Sequence, residues 1–274
     1  MIVAAGDTPK EQAWDRPAPE LPDAQIRPTE MEREELRAWL GTLGEPAFRG
    51  DQIFEGLYRH RFATWDQFTN LSHALRKKLD STSELRWPDI TETVASDDGS
   101  TKHAFRLSDG KQVEGVHMPY GKRTTLCLSS QVGCAMGCTF CATGLMGIVR
   151  NLSAGEIVGQ VVAMLKSHGH SGETPVNLVF MGMGEPLHNL DNVMKAFRIL
   201  TDDAGLGLSP RRITVSTSGL VSGIERMAAG TAGKQHLLPT HSGLPKRISP
   251  GLDSLAKSCL YLSSRSSNRT ISRT

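Results

Sequence analysis

The sequence predicts an α/β fold in which a small helical domain and an antiparallel β meander precede a parallel sheet with crossover helices. Three observations predict it. Residues 29–80 place apolar side chains at helical spacing, residues 90–119 alternate apolar and polar positions between Asp-Gly turns, and strand-like and helix-like segments alternate from residue 124 onward. The chain has 274 residues, 38% hydrophobic and 22% charged, enough to bury a core. No apolar run approaches the ~18 residues that a spanning helix needs. The opening MIVAAGDTPKEQ lacks the basic-then-apolar pattern of a secretory signal, so the expected location is cytoplasmic, with no membrane partner.

Each element has its own signal. Residues 1–28 hold five of the 14 prolines and little apolar periodicity, and read as a disordered leader. Thr29-Glu30-Met31-Glu32 reads as a capping box, followed by Leu36, Trp39, Leu40 and Leu43 on one face and closed by Gly44. GDQIFEGLYRH, TWDQFTN and SHALRKKLD read as further short helices; Thr64 with Gln67 forms another capping box, and Ser72 caps the last. These make a helical domain over 29–85. Arg59, His60, Arg61, Arg76, Lys77 and Lys78 on it read first as solvated helix faces and second as a phosphate-contacting surface. TETVAS, KHAFRL and KQVEGVHM form a meander over 86–120, turning at Asp98-Gly99 and Asp109-Gly110. In 121–230, TTLCLSS, PVNLVFM and RRITVSTSG read as strands. SAGEIVGQVVAMLKSHG, LDNVMKAFRIL and VSGIERMAA read as helices, the first capped by Ser153 and Glu156. That gives three βα units.

After residue 230 the pattern changes. Residues 231–274 carry seven Lys/Arg against one Asp/Glu and nine serines, and show no strand or helix period. Their charge of +6 leaves −4 for the first 230 residues, so the overall +2 says little about nucleic-acid binding.

Five cysteines are present, and three crowd into Cys134-Ala-Met-Gly-Cys138-Thr-Phe-Cys141. A disulfide framework would spread them; clustered thiols in a reducing compartment point to metal. Three thiolates at this spacing each bind one iron of a [4Fe–4S] cubane and leave the fourth iron open. An open iron is suited to chelating S-adenosylmethionine (SAM), whose S–C bond an electron from the cluster breaks. Phe140 is then expected to shield the cluster and contact the adenine. The alternative is a structural zinc, with Cys127 or His117 as fourth ligand, although no second Cys/His hook is present. Gly182-Met-Gly184-Glu185-Pro186 directly follows the strand NLVFM, where a Gly-rich exit admits close approach of a ligand and a carboxylate can pair with an ammonium. Ser216-Thr-Ser-Gly219 ends the next strand and reads either as a contact to ribose or carboxylate or as a helix cap.

Taken together, RTTLCLSSQVGCAMGCTFCATGLMGIVRNLSAGEIVGQV, VFMGMGEPLHN and GLSPRRITVSTSG resemble the RlmN/Cfr family of radical SAM enzymes, which methylate C2 or C8 of adenosine in RNA. The resemblance runs from about 45 to 228 and includes FRGDQIFEGLYRHRFATWDQFTNLSHALRKKL. FTNL and SSQVGC favour the C2 branch; a C8-directed enzyme, a radical SAM enzyme of other specificity and a non-catalytic zinc or RNA-binding fragment are the alternatives. The resemblance implies a partial (β/α) barrel of radical SAM type, a [4Fe–4S] cluster on Cys134, Cys138 and Cys141, and SAM at Gly184, Glu185 and Ser216. It implies Cys127 as resolving cysteine and Glu114 as proton acceptor. Read without it, Cys127 is an inert buried strand thiol and Glu114 a surface strand residue. It further implies two SAM molecules, a methyl-cysteine intermediate, 23S rRNA and tRNA as substrates, a flavodoxin- or ferredoxin-like reductant, and a monomer.

The resemblance ends near Met227. Cys259, in SLAKSCLYLSS, does not match the family's methyl-carrying segment, and that role is not carried onto it. A reading-frame shift or truncation after about residue 228 is therefore expected, with only the first half of the barrel kept, an aberrant and disordered tail over 231–274, a bare edge at ITVSTS and no completed methyl transfer.

Overall fold

The structure is a computed structural model that describes residues 26–138, 140–170, 172, 174–230 and 240–241. The helical region contains α1 (Arg33–Thr42), α2 (Phe48–Tyr58) and α3 (His73–Thr82). Leu36 and Leu40 of α1, Ile53, Phe54, Leu57 and Tyr58 of α2, and Leu79 of α3 are wholly buried, as their helical spacing requires. Helix α1 begins three residues later than Thr29 implied. Glu32 is its cap, and its backbone N–H donates to Glu35 Oε2 at 2.7 Å. Thr29 instead donates its hydroxyl to Arg86 O at 3.2 Å and is 1% exposed. Glu32-x-x-Glu35, with a carboxylate cap in place of a hydroxyl, overlaps Thr29-x-x-Glu32 and is the box that forms, while Thr29 is buried and bonded elsewhere. Thr64 with Gln67 caps a single 3-10 turn at Trp65–Gln67, and Ser72 caps α3 through Leu75 N at 3.2 Å.

The main sheet has seven strands. Strands β1 (Asp89–Ala95), β2 (Thr101–Arg106), β3 (Gln112–Tyr120) and β4 (Arg123–Cys127) form the antiparallel meander. From β4 the pairing turns parallel, to β7 (Val176–Phe180) and β8 (Ile213–Thr217). The βα units expected from the alternation are present: α5 (Ala154–Ser167) follows β4, α6 (Leu190–Thr201) follows β7, and α7 (Val221–Gly230) follows β8. One apolar cluster extends from Leu36 of α1 to Met227 of α7.

Alternation along the strands separates two faces. Leu126, Leu128, Leu178, Phe180, Ile213 and Val215 point outward beneath α5 and α6. Val116, Met118, Cys127 and Val179 form a separate small cluster on the opposite, inner face.

Two features depart from the expected pattern. A second sheet, β5 (Gln131–Cys134) with β6 (Gly147–Asn151), is inserted between β4 and α5 as an antiparallel pair, and the short α4 (Ala142–Leu145) sits in its connection. At the other edge β8 is not bare. Ser216 and Thr217 pair in parallel with Thr240 and His241 of β9 (Thr240–His241), so the fourth strand position is begun. Strand N–H and C=O groups left at an edge are costly unless paired, which favours this short addition. Of the leader, Ile26 bridges to Ser83; residues 1–25, like the remainder of the tail with Cys259, lie outside the described residues.

Candidate cluster and cofactor site

The three clustered cysteines lie on the β5–β6 hairpin. Cys134 is the last residue of β5, paired in register with Gly147, and Cys138 and Cys141 lie in the connection before α4. The connection folds on itself, with Cys141 N donating to Cys138 O at 3.1 Å and Gly144 N donating to Cys141 O at 3.0 Å. Gly133 must be glycine: φ is +77°, and a Cβ there would stand 1.9 Å from Gly147 O. Burial pushes the Cys134 thiol above its ordinary pKa. The neighbouring Cys141, Glu185 and Cys138 push the same way, and only the backbone hydrogen bond at Met136 opposes them. The three thiols therefore share one electrostatic neighbourhood with Glu185. Among the described residues, no three His, Cys, Asp or Glu side chains are gathered to hold a single metal ion. In a [4Fe–4S] cubane each thiolate would meet a different iron, so the three need not converge on one point.

Glu185 begins a 3-10 turn at the exit of β7 and is 3% exposed. Its Oε1 accepts from Leu187 N at 3.1 Å, and its Oε2 accepts from Ser218 N at 2.7 Å and from Ser218 Oγ at 2.9 Å. It thus ties the exits of β7 and β8 together. Its hydrogen-bond partners are neutral donors, and the histidine beside it, His188, is held below its ordinary pKa by burial although the Glu185 charge pulls it up. That is the electrostatic setting in which a ligand ammonium is favoured. Ser216 lies half-buried on the inner side of β8; Ser218, two residues on, is the serine that meets Glu185.

The glycines of the GMGEP turn serve a packing need that the sequence does not reveal. A Cβ on Gly182 would stand 2.7 Å from Ser129 Oγ, and one on Gly184, at φ +100°, 2.6 Å from Gln131 Cβ. The turn thus lies directly on the segment leading into β5. Gln131, wholly buried, locks the two: its Oε1 accepts from Glu185 N at 2.8 Å, and its Nε2 donates to Asn151 Oδ1 at 2.7 Å. Ser129, Gln160 and Asn189 complete this buried polar frame. Ser129 donates its hydroxyl to Glu114 O at 2.6 Å, Gln160 exchanges two bonds with the Ser129 backbone, and Asn189 Nδ2 donates to Ser130 O and Leu152 O, each at 2.8 Å. No motif or period in the sequence singles these residues out. The available signal was polarity out of place, such as Gln160 inside the apolar stretch of α5.

Cys127 is 1% exposed and pairs in register with Val116, two residues along β3 from Glu114. The two-residue period puts Glu114 and Cys127 on the same inner face, below the cysteine hairpin. Glu114 Oε1 accepts from Lys102 Nζ at 2.9 Å, and the Lys102 side chain is 8% exposed. Phe140, expected to shield the cluster and contact the adenine, is 70% exposed. Leu145 at 83% and Met146 at 62% join it in an apolar rim around the loop. A residue between two loop cysteines has no core wall within reach, so its ring is left in solvent.

Comparisons with known proteins fit this geometry. Residues 29–85 match the family model of the ribosomal RNA large subunit methyltransferase N-terminal domain, and residues 128–260 match that of the radical SAM superfamily. The latter continues past residue 228, where the motif resemblance fades. A dual-specificity RNA methyltransferase RlmN from Halorhodospira halophila is 49% identical over 197 residues, covering 72% of this chain and 54% of that protein. Its counterpart from Nitratidesulfovibrio vulgaris is 45% identical over 233 residues, covering 79% and 63%. The chain therefore spans between about half and two thirds of the length of these curated relatives. A crystal structure of a radical SAM methyltransferase from Sphaerobacter thermophilus superposes with a TM-score of 0.73 at 40% identity, covering 86% of this chain and 67% of that one. On these likenesses the chain belongs to the RlmN family of radical SAM methyltransferases.

Proposed function

We propose that this chain provides the cofactor-binding half of a radical SAM methyltransferase that modifies C2 of adenosine in 23S rRNA and tRNA. The observation that carries the proposal is the placement of Cys134, Cys138 and Cys141 in one short segment within electrostatic reach of the buried carboxylate of Glu185, at the exit of β7. Cys134, Cys138 and Cys141 would hold a [4Fe–4S] cluster and Glu185 the SAM ammonium, with Gly184 and Ser216 along the same rim. When bound, the cluster supplies the electron that cleaves the S–C bond of SAM.

The remaining roles fall to residues of the inner face. Cys127, sealed by Val116, Met118 and Val179, keeps a thiol away from solvent until a partner reaches it. Glu114, oriented by Lys102, is the acceptor for a proton leaving the target carbon. An adenine must leave its stack to reach that face. Two SAM molecules and a methyl-cysteine belong to the same reading, as does a flavodoxin- or ferredoxin-like reductant; no described residue is given the methyl-carrying role.

Anaerobic reconstitution tests the proposal. Iron and sulfide in equal amounts with a visible charge-transfer band, followed by release of 5′-deoxyadenosine on addition of SAM and reductant, are expected. Zinc in place of iron, or a cluster that leaves SAM intact, would remove the basis for it. Methylation of RNA by the chain alone is read in the same samples as 2-methyladenosine.

A further inference from the structure

At the end of the sheet opposite the cysteine hairpin, the starts of β4, β7 and β8 surround a cavity of about 410 Å³ lined by Tyr120, Gly121, Lys122, Arg123, Pro175 and Arg212. We infer that this floor is a second contact surface for single-stranded RNA, with Tyr120 as a stacking platform and Lys122, Arg123 and Arg212 as phosphate contacts. The inference rests on the functional reading above and adds a surface remote from the site of chemistry.

Three observations support it. First, the charge here is uncompensated. Most arginines elsewhere, among them Arg33, Arg37, Arg59, Arg76, Arg106, Arg150, Arg198 and Arg226, meet a carboxylate, while Arg49 and Arg61 bond neutral acceptors. Lys122, Arg123, Arg211 and Arg212 form no ion pair among the described residues; Arg212 reaches only the Asn177 amide, at 3.2 Å. Second, Tyr120 is 60% exposed, and the Arg123 guanidinium lies 5.5 Å from its ring centroid. Cations interleaved with an exposed ring are what an unpaired strand requires, phosphates taking the cations and a base taking the ring. Third, the platform is stiff. Tyr120 and Arg123 face each other across a two-residue hairpin whose Gly121 has φ +57°, and Arg212 ends the 3-10 turn that enters β8.

An acidic protein partner is disfavoured by position. An electron donor must approach the cluster, whereas the floor lies a strand length away, roughly 15 Å along β4 alone. An extended polyanion can reach both ends of the sheet.

The test uses the whole chain and a labelled RNA hairpin with a single-stranded tail, in binding titrations over a range of salt. The double variant Lys122→Gln/Arg212→Gln is expected to bind about tenfold more weakly at low salt, with the slope of log K against log salt reduced by about 1 to 1.5. Tyr120→Ala is expected to lose about tenfold with the slope unchanged. Circular dichroism melts of both variants should match the parent, since the altered side chains are exposed. As a measurement independent of folding, 4-thiouridine in the tail should crosslink to the peptide containing Tyr120. Binding unchanged in both variants, or loss only in the cation variant, overturns the inference and leaves the cluster reading intact. No RNA binding by the parent overturns this inference together with the RNA part of the functional reading. Capture of flavodoxin, and not RNA, through these residues reassigns the surface to a protein.

Discussion

Glu185 shows how far one residue can be read from sequence. Its place after a glycine turn at a strand exit was legible, and so was a carboxylate suited to an ammonium. That it also bonds Ser218 of the next strand was not, because that contact spans 33 residues. Glu185→Gln keeps one acceptor oxygen, enough for the Ser218 donors, and removes the charge. Iron content should stay near that of the parent while SAM affinity falls about tenfold, the scale of one charge-assisted pair; equilibrium dialysis measures both, and unchanged affinity would refute an ammonium contact. Gly133 is the opposite case, silent in sequence and decided by contact. In Gly133→Ala, the Cβ meeting Gly147 O at 1.9 Å and φ of +77° should cost about 2–4 kcal/mol and release iron, seen as a lower melting temperature and a lost visible band.

At the scale of elements, the hairpin carrying the cysteines was missed although its chemistry was not. Its strands are four and five residues long and contain Gly133 and Gly147, so neither shows a run of alternation. What holds it is Arg150 of β6, 6% exposed, which donates to Glu156 of α5 through two bonds of 2.8 Å and to Asp109 of the β2–β3 turn at 2.8 Å. The same contacts hold the Asp109 carboxyl below its usual range, the Arg150 hydrogen bond being the main cause. Arg150→Ala leaves two carboxylates partly buried without their cation and should cost about 3–5 kcal/mol, read from the urea midpoint. A Met at this position, which fills the volume, separates lost packing from lost charge.

A second element contact makes a pH prediction. His103 of β2 meets His168 at the end of α5, Nε2 to Nε2 at 2.9 Å, and His117 of β3 stacks on His168 with centroids 3.6 Å apart. Burial, with the neighbouring histidine charge second, lowers His103 and His117 to about 4. The folded state thus resists protons that the unfolded chain, with ordinary histidines near 6.5, takes up. Stability is complete above about pH 6.5 and falls as pH drops from there toward 4, by roughly 1–2 kcal/mol per histidine at pH 5. Urea titrations at pH 7 and pH 5 should show this difference, and His103→Phe should shrink it. An unchanged midpoint would exclude neutral histidines at this contact.

For the whole molecule, the apolar cluster joining α1 to α7 implies that the helical region and the sheet unfold together. Far-ultraviolet dichroism and tryptophan fluorescence, which reports Trp14, Trp39, Trp65 and Trp87, all within the first 87 residues, should give coincident melting curves; two separated transitions would show independent units. Most of the architecture was written in local patterns: helical spacing in α1 to α3, alternation in the meander, three βα units, and the C-x3-C-x2-C spacing. These are decided within a few residues by backbone geometry and the burial of one face, so the sequence by itself determined them, and with them the family. The tertiary structure alone decided what depends on residues far apart in the chain. It placed Gln131 between hairpin and glycine turn, set Glu114 beside Lys102 on the face of Cys127, left Phe140 in solvent, and paired β8 with Thr240 and His241 where a bare edge was expected. Such pairings are selected by the need to satisfy buried polar groups and strand edges once the chain is compact, and no period in the sequence encodes that need.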